Sequence, residues 1–224
     1  MDANETKQLL YSMGADLCGI ASIDRFDEAP EGFHPRNVLP QCKSVIVIAK
    51  AFPTGTIHCK TTIPYTITRN MLSDMLDKIS VQFCIEAERR GMIATTTGSV
   101  AYTQFDEKTD RFRAIVSAKH CAVAAGLGRI GRNTLFVTPE YGNMVWLNAI
   151  LTEAELEADV LLTGDPCPDS CSLCIESCPA GALGDPAMDQ KACLAHAFRT
   201  EREFLIVCHE CRTICPNCLG SKTG

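Results

Sequence analysis

Cysteine is the residue type with the most chemistry to offer in this sequence. Nine of the 14 cysteines lie after residue 166, at Cys167, Cys171, Cys174, Cys178, Cys193, Cys208, Cys211, Cys215 and Cys218. The run C-x2-C-x3-C-P occurs twice, in residues 171–179 and 208–216. Closely spaced thiolates are soft ligands for iron and sulfide, and a proline directly after the last cysteine ends the ligand loop. The pattern predicts two [4Fe–4S] clusters.

The spacing also predicts which cysteines belong together. Close cysteines wrap one cube, and the cysteine before each proline reaches across to the other, as in two-cluster bacterial ferredoxins. The first cluster is predicted to be held by Cys167, Cys171, Cys174 and Cys215. The second is predicted to be held by Cys178, Cys193, Cys208 and Cys211. Pro168 stands where a regular C-x2-C-x2-C opening would begin, so Cys218 stays open as an alternative to Cys167.

Two other uses of cysteine fit part of the pattern. A zinc ribbon joins two C-x2-C motifs, which residues 171–174 and 208–211 would supply, but it leaves Cys193 and both C-P cysteines without a role. A disulfide framework belongs to an oxidising compartment, and the first residues carry neither a basic segment nor a twin-arginine pair. Iron–sulfur ligation is the interpretation that uses the whole pattern.

The composition is typical of an ordinary soluble protein. Of the 224 residues, 46% are hydrophobic, and no apolar run approaches the ~18 residues of a membrane-spanning helix. We expect a reducing, cytoplasmic location, which also suits oxygen-sensitive clusters. The formal net charge is −6 and the basic residues are scattered. Because phosphate binding requires a basic face, we expect no nucleic-acid partner, and we expect no membrane partner either.

The first part of the chain alternates between strand and helix patterns. Residues 44–50, S-V-I-V-I-A-K, form a continuous apolar run that predicts a strand buried on both faces. Apolar residues at helical spacing predict a long helix over residues 66–90, with Gly91 as the residue after its end. Further strands are predicted at residues 92–97 and 145–151.

This alternation predicts an α+β chain with two parts. We expect a layered α/β domain over residues 1–160 and a small cysteine module over residues 161–224. A short first helix is predicted near residues 4–13, with Asn4 or Thr6 as its cap.

A second motif, G-L-G-R-I-G, matches G-x-G-x-x-G at residues 126–131. A dinucleotide site needs a strand before this motif and a helix after it. Here a helical segment precedes it and a strand pattern follows, which disfavours nicotinamide binding. The glycines still indicate close backbone approach or a sharp bend. The candidate cofactor contacts are the residues of this glycine loop: Gly126, Leu127, Gly128, Arg129, Ile130, Gly131, Arg132 and Asn133.

Together these motifs resemble a known superfamily. Residues 124–142, A-A-G-L-G-R-I-G-R-N-T-L-F-V-T-P-E-Y-G, and residues 150–159, followed by the double cysteine motif, are similar to epoxyqueuosine reductases and reductive dehalogenases. The resemblance covers roughly residues 38–216. It implies a nitroreductase-like α/β domain that binds cobalamin base-off, followed by a ferredoxin-like double [4Fe–4S] module that delivers electrons to cobalt. The glycine loop would run along the corrin.

The sequence departs from this superfamily where protons would be supplied. Residues 111–120, R-F-R-A-I-V-S-A-K-H, contain no carboxylate where the resemblance implies an acidic proton donor. The dehalogenase tyrosine cannot be placed, and we expect the helical-repeat extension that holds transfer RNA to be missing. The catalytic residues are therefore unknown. Lys119, His120 and Tyr102 are candidate proton donors, but a solvated lysine, a core histidine and a half-buried tyrosine are the simpler interpretations.

The remaining histidine and cysteines singled out by the sequence have structural roles as their expected function. His209 lies between two predicted ligands, where it is expected to hydrogen-bond cluster sulfur or face water. Four scattered cysteines are predicted to be core thiols: Cys42, Cys59, Cys84 and Cys121.

Three functions follow from the resemblance. The first is a cobalamin-dependent reductase that passes electrons through two [4Fe–4S] clusters to the corrinoid cobalt and then to a small-molecule substrate. The second is an electron-transfer or corrinoid-reactivating carrier that acts on a corrinoid protein and has no substrate of its own. The third replaces the corrinoid with FMN, as in other nitroreductase-like domains. In each, a redox partner protein supplies the electrons, and the oligomeric state is open.

Overall fold

A computed structural model describes residues 1–100, 102–107, 111–184, 188–198 and 205–222. The strands are β1 (Leu17–Ser22), β2 (Ser44–Ala51), β3 (Ala94–Thr96), β4 (Tyr102–Asp106), β5 (Arg111–Ala114), β6 (Arg129–Ile130), β7 (Phe136–Val137) and β8 (Val145–Thr152). The helices are α1 (Ala3–Ser12), α2 (Ile63–Arg89), α3 (Ala118–Ala124), α4 (Leu173–Glu176), α5 (Gln190–Ala197) and α6 (Glu210–Thr213). Short 3-10 turns lie at Ile23–Phe26, Pro35–Asn37 and Thr54–His58.

A four-stranded antiparallel sheet in the order β1-β2-β8-β3 forms the centre of the molecule. Strand β2 pairs along its length with both neighbours, so that Ile46 lies between Ile20 of β1 and Ile150 of β8. The short strand β3 covers only the end of β8, from Thr152 to Ile150. Two small hairpins, β4-β5 and β6-β7, lie outside this sheet.

Strand β2 is buried on both faces because helices cover both sides of the sheet. Val45 and Val47 point towards α3, in a cluster with Cys121 and Ala122. The alternate residues of β2 point towards α1 and α2, in a cluster with Leu10, Leu76, Ile79 and Phe83. Residues 45–49 are all 0% exposed, which confirms the predicted buried strand.

The ends of the first two helices follow capping rules. Asp2 caps α1, since its carboxylate accepts the Glu5 N–H at 2.9 Å and Glu5 accepts the Asp2 N–H at 3.0 Å. The predicted caps Asn4 and Thr6 are wrong, because both lie inside the helix. Helix α2 ends before Gly91, whose φ of 77° confirms its predicted position after the helix. None of the described helices combines the length and apolar content needed to cross a membrane.

The part of the chain after β8 is anchored to the sheet before it enters the cysteine-rich region. The Asp159 N–H donates to the Ile20 carbonyl at 2.8 Å, and its carboxylate accepts the Ile20 N–H at 2.8 Å. Lys7 forms an ion pair with the same carboxylate. In the cysteine-rich region that follows, the described residues form short helices joined by loops.

The mixed helix-and-sheet class is confirmed. The nitroreductase-like and ferredoxin-like descriptions of its two parts stay predictions, as does the domain boundary at residue 160.

Candidate metal centres

Four of the predicted cluster ligands surround one small cavity. Its lining consists of Asn133, Cys167, Pro168, Cys171, Cys174, Cys215, Pro216 and Asn217. We call Cys167, Cys171, Cys174 and Cys215 the first cysteine set. The pKa of the Cys174 thiol is raised, first by burial and then by the charges of neighbouring Cys167 and Cys215. These thiols therefore act on one another electrostatically across the cavity.

A tight turn brings the first two thiols of this set to the cavity. The Cys171 N–H donates to the Pro168 carbonyl at 3.1 Å, and Ser170 between them adopts the left-handed region with φ of 58°. Helix α4 begins two residues after Cys171 and carries Cys174. The turn thus absorbs the extra residue in the irregular C-x3-C spacing.

The other four predicted ligands form a second cysteine set: Cys178, Cys193, Cys208 and Cys211. Helices α5 and α6 carry Cys193 and Cys211. The pKa of Cys193 is raised, first by burial and then by Cys178 and Cys208. Burial raises the pKa of Cys211 to about 11, the Arg212 charge opposes the rise, and the other three thiols add to it. The four members of this set therefore also lie near one another.

Two groups of four thiols fit four-iron clusters. In a cluster each thiolate binds a different iron atom, so the ligands stand farther apart than around one ion. Among the described residues, no three His, Cys, Asp or Glu side chains form a group that could hold a single metal ion. A zinc ribbon would join residues 171–174 to residues 208–211, which belong to different sets. All 14 cysteines are free thiols. The ligand assignment itself stays a prediction.

Cys218, the alternative to Cys167, lies in the apolar core beside the first set. Its side chain is 5% exposed and belongs to a buried cluster with Phe52, Tyr65, Leu72 and Met144. Burial raises its pKa to about 11. Cys167, by contrast, lines the cavity itself, so the geometry favours Cys167 as the ligand.

The four scattered cysteines divide into buried and exposed ones. Cys42 and Cys121 are 0% exposed in the core cluster, where burial raises the pKa of Cys121 to about 12. Cys84 is half-buried against the α1–α2 side of the core. The prediction for Cys59 is wrong: it is exposed and its Sγ donates to the Gly55 carbonyl at 3.3 Å.

Close backbone contacts explain two glycines of the glycine loop. Gly126 has φ of 72°, and a Cβ atom there would lie 2.2 Å from the Val160 carbonyl oxygen. A Cβ atom on Gly128 would lie 2.1 Å from the Val137 carbonyl oxygen. The loop follows α3 and contains the short strand β6. A helix therefore precedes the glycines and a strand follows them, the reverse of the order in a dinucleotide site. The close approach predicted from the sequence is confirmed, and the chain's own backbone provides it.

The end of the glycine loop is fastened to both cysteine sets. The Arg132 N–H donates to Cys167 Sγ at 3.3 Å, and its guanidinium donates to the Cys171 carbonyl at 2.6 Å. Asn133 is 2% exposed, lines the first cavity, and donates from Nδ2 to the Cys211 carbonyl at 2.9 Å. Arg132 and Asn133 therefore position the two cysteine segments relative to the sheet domain.

The earlier residues of the loop have other surroundings. Leu127 and Ile130 pack against the apolar core, and the Gly131 N–H donates to the Leu135 carbonyl at 2.9 Å. The Arg129 guanidinium donates to the Leu162 carbonyl at 3.4 Å. These contacts are all within the protein, and they hold the loop in place.

A second cavity lies between the glycine loop and the end of the chain. Gly128 and Arg129 border it on one side, and residues 162–166 with Leu219 and Gly220 border it on the other. Its volume is about 260 Å³, below the roughly 300–1,000 Å³ of typical ligand pockets. A corrin ring would lie largely outside this cavity. Cofactor binding by the glycine loop therefore stays a prediction.

Two of the candidate proton donors have surroundings that differ from those expected. Lys119 is half-buried, and its Nζ donates to the Thr134 carbonyl at 2.6 Å. Burial, and secondarily the Arg212 charge, lower its pKa, so it is not a solvated end. His120 is exposed and pairs through Nδ1 with Ser117 Oγ at 2.7 Å, so it is not a core histidine.

The third candidate proton donor, Tyr102, and the histidine of the cysteine motif, His209, complete the set of predicted polar residues. The Tyr102 side chain lies outside the described residues. The His209 ring packs against Tyr65 with the ring centroids 4.6 Å apart, and its buried Nδ1 has no hydrogen-bond partner. Burial lowers the pKa of His209. The expected hydrogen bond of His209 to cluster sulfur, or its contact with water, stays a prediction.

A buried polar unit beside the cysteine segments, formed by Asn143 and Arg212, was not predicted from the sequence. Asn143 is 0% exposed; its N–H donates to the carbonyls of Asn217 and Cys218, each at 3.1 Å. Its Nδ2 donates to the Arg212 carbonyl at 3.1 Å, and the Arg212 guanidinium donates back to the Asn143 carbonyl. The available signal was an arginine inside a cysteine motif that must be buried to hold a cluster.

Comparison with known proteins places these features in context. No protein-family model matches the chain. The epoxyqueuosine reductase of Bacillus subtilis (strain 168) is 26% identical over 92% of this chain and 60% of its own length. The epoxyqueuosine reductase of Gloeobacter violaceus is 37% identical over 45% of this chain and 35% of its own length.

Solved structures show the same relationship. Epoxyqueuosine reductase from Streptococcus thermophilus superposes with a TM-score of 0.70 at 21% identity, over 97% of this chain and 66% of that one. A catabolic reductive dehalogenase superposes with a TM-score of 0.73 at 16% identity, over 95% of this chain and 31% of that one. The resemblance to the epoxyqueuosine reductase and reductive dehalogenase superfamily is confirmed. The chain shares the fold of these superfamily members and spans 60% of the Bacillus subtilis protein.

The superfamily relationship corrects one prediction. A solved relative is an epoxyqueuosine reductase with an epoxyqueuosine-modified tRNA stem loop; it covers 96% of this chain at a TM-score of 0.68. The prediction of no nucleic-acid partner is therefore contradicted. The argument from net charge was wrong because a charge summed over the whole chain does not describe any one face of the molecule.

Proposed function

We propose that this chain is an electron-transferring reductase component that holds two [4Fe–4S] clusters. The first cysteine set would hold one cluster and the second set the other. The observation that carries the proposal is the convergence of eight thiols from three separate segments into two groups of four. The shared fold with epoxyqueuosine reductases and reductive dehalogenases supports a reductase role.

When bound, such clusters supply one-electron transfer at low potential, roughly −400 mV for cysteine-ligated ferredoxin-type centres. The protein's own residues supply the surroundings that adjust this potential. Backbone N–H groups of Arg132 and Ala182 donate to Cys167 Sγ and Cys178 Sγ, each at 3.3 Å. Such bonds stabilise negative charge on sulfur and so favour the reduced state. Proline and asparagine side chains close the rest of the first cavity.

The acceptor that we propose is a corrinoid. One structural neighbour is a reductive dehalogenase whose structure suggests a mechanism for B12-dependent dehalogenation. In this chain Gly128 and Arg129 border a cavity of about 260 Å³, which has room for only part of a corrinoid, such as a polar edge or tail. The Arg129 guanidinium is the cation at that cavity available to an anionic group.

Cluster content is the decisive measurement. Protein purified without oxygen is expected to contain about eight iron atoms per chain, since each of two clusters holds four. Cys174→Ser removes a member of the first set and should lower the content to about four. Cys218→Ala is the matched control, and it should keep about eight because Cys218 belongs to the apolar core.

The same samples test the other parts of the proposal. Zinc in place of iron, or loss of iron from Cys218→Ala but not from Cys167→Ala, would contradict the ligand assignment. The visible spectrum after addition of cobalamin reports on the acceptor: an unchanged corrin spectrum rejects the corrinoid, and yellow fluorescence released by heat indicates a flavin instead.

A further inference from the structure

Arg212 is a buried cation that lies, in the sequence, between Cys211 of the second set and Cys215 of the first. It directly follows Cys211 on α6 and precedes Cys215 by three residues. Its side chain is 5% exposed. The guanidinium carbon lies 5.4 Å from the centroid of the Phe52 ring and 5.8 Å from that of Tyr65. The aromatic faces and the Asn143 carbonyl thus take the place of water around this charge.

No carboxylate balances this charge within the described part of the chain. The ion pairs found there involve other residues. A buried charge without a counter-charge is costly, and removing it from water is not repaid by one carbonyl and two rings. The fold therefore implies that an anion lies near Arg212 when the protein is complete.

The cysteines around Arg212 supply the candidate anions. Arg212 directly follows Cys211 of the second set in α6, and the two rings beneath its guanidinium share a buried cluster with Cys218, which belongs to neither set. Asn143, which is bonded to Arg212, donates its N–H to the carbonyls of Asn217 and Cys218, on the segment that carries Cys215 of the first set. Arg212 is thus next to a ligand of the second set and is linked through Asn143 to a segment of the first.

We infer that Arg212 is a positioning residue whose buried positive charge balances the negative charge of the two thiolate-bound clusters. This charge raises the reduction potentials of both clusters, and it raises the potential of the cluster in the second set more. The inference rests on the proposed function. A cluster held by four thiolates is anionic, and reduction adds one electron to it. A fixed cation nearby stabilises the reduced state more than the oxidised state. Its effect persists at high salt because Arg212 is buried.

The test is a redox titration followed by electron paramagnetic resonance on anaerobically purified, cluster-loaded protein. In Arg212→Gln, the reduction equilibrium of the cluster in the second set is expected to shift about tenfold towards the oxidised state, and that of the cluster in the first set by less. Tenfold is the size of a unit-charge interaction at separations on the order of 10 Å and an effective dielectric of about 20. For a one-electron couple, tenfold corresponds to a fall of 59 mV. Arg132→Gln is the matched comparison. It removes the same charge beside the first set at an exposed position, where solvent screening should make the shift smaller.

The outcomes separate the inference from the function on which it rests. If wild-type protein and all variants lack iron, the proposed function fails. If Arg212→Gln loads both clusters and its potentials equal those of wild type, or rise, the inference is wrong. If Arg212→Gln does not load, Arg212→Lys decides, because it keeps the charge and loses the guanidinium. Loading of both clusters by Arg212→Lys then upholds the charge assignment, because only the charge is kept, and failure of this variant to load rejects it.

Discussion

At the scale of single residues, two cations lie in the protein interior beside the cysteine segments, one half-buried and one fully buried. Lys119 and Arg212 both carry charge into the protein next to the cysteine segments, and Arg212 lowers the pKa of Lys119 after the larger effect of burial. Neither was predicted from the sequence, because a lysine or arginine within a helical pattern usually faces water. The ligand cysteines, in contrast, were predictable, since soft thiolates at fixed spacing have few other uses.

The lowered pKa of Lys119 predicts a specific pH dependence of stability. The folded state favours the neutral amine more than the unfolded chain does, where the ordinary pKa is 10.5. The cost of burying the charge is therefore fully present below the folded pKa and is lost as pH rises from the folded pKa to the unfolded value of 10.5. The free energy of unfolding of wild type should thus rise relative to Lys119→Met as pH rises towards 10.5.

Chemical denaturation at several pH values provides the measurement. Lys43→Met, at an exposed position, corrects for the general effect of removing a lysine. A difference between wild type and Lys119→Met that stays constant or widens in favour of the variant with rising pH would show that Lys119 remains solvated.

At the scale of elements, the glycine loop shows what a motif can and cannot reveal. The order of helix, loop and strand was predictable from periodicity, and it excluded a dinucleotide site. The contacts of Arg132 and Asn133 with the cysteine segments were not predictable. They join residues 35 to 78 positions apart, and no local pattern encodes such pairs. The antiparallel sheet was likewise beyond the sequence pattern, which predicts burial but not strand direction.

The close approach at the loop predicts an effect of adding a single methyl group. Gly128→Ala would place a Cβ atom 2.1 Å from the Val137 carbonyl oxygen, so the β6-β7 hairpin must shift, at a cost of about 1–3 kcal/mol. Gly55→Ala is the matched control, because no atom lies within 4 Å of the added Cβ, and its effect should stay within about 0.5 kcal/mol. Equal losses in urea denaturation would contradict the packing described for the loop.

At the scale of the whole molecule, the sheet and the cysteine region differ in what holds them together. The sheet is surrounded by fully buried apolar side chains on both faces. The cysteine region has helices of four to eight residues and mostly half-buried thiols. Short helices with little buried area depend on other bonds for their order. In the proposed function, those bonds are the ones to iron.

Removal of iron should therefore loosen one part of the molecule and leave the other intact. After chelation, amide hydrogen exchange is expected to accelerate in residues 167–178 and 205–218. Amides of β2 and β8 should remain protected, because their ladder and both apolar faces are independent of the thiols. Mass spectrometry of exchanged peptides, with and without chelator, provides the comparison. Uniform loss of protection would mean that the sheet is not stable alone.

Residues 215–222 connect the first cysteine set to the loop at residues 139–142. Gly142 and Gly220 both lie where a Cβ atom would meet backbone, at 2.3 Å from the Cys218 carbonyl oxygen and 2.2 Å from the Glu140 carbonyl carbon. The N–H groups of Ser221 and Lys222 donate to the Pro139 and Glu140 carbonyls. Cys215 reaches its cavity on the same short segment. In the proposed function, binding of the first cluster and docking of residues 220–222 therefore form one coupled equilibrium, in which strengthening either step strengthens the other.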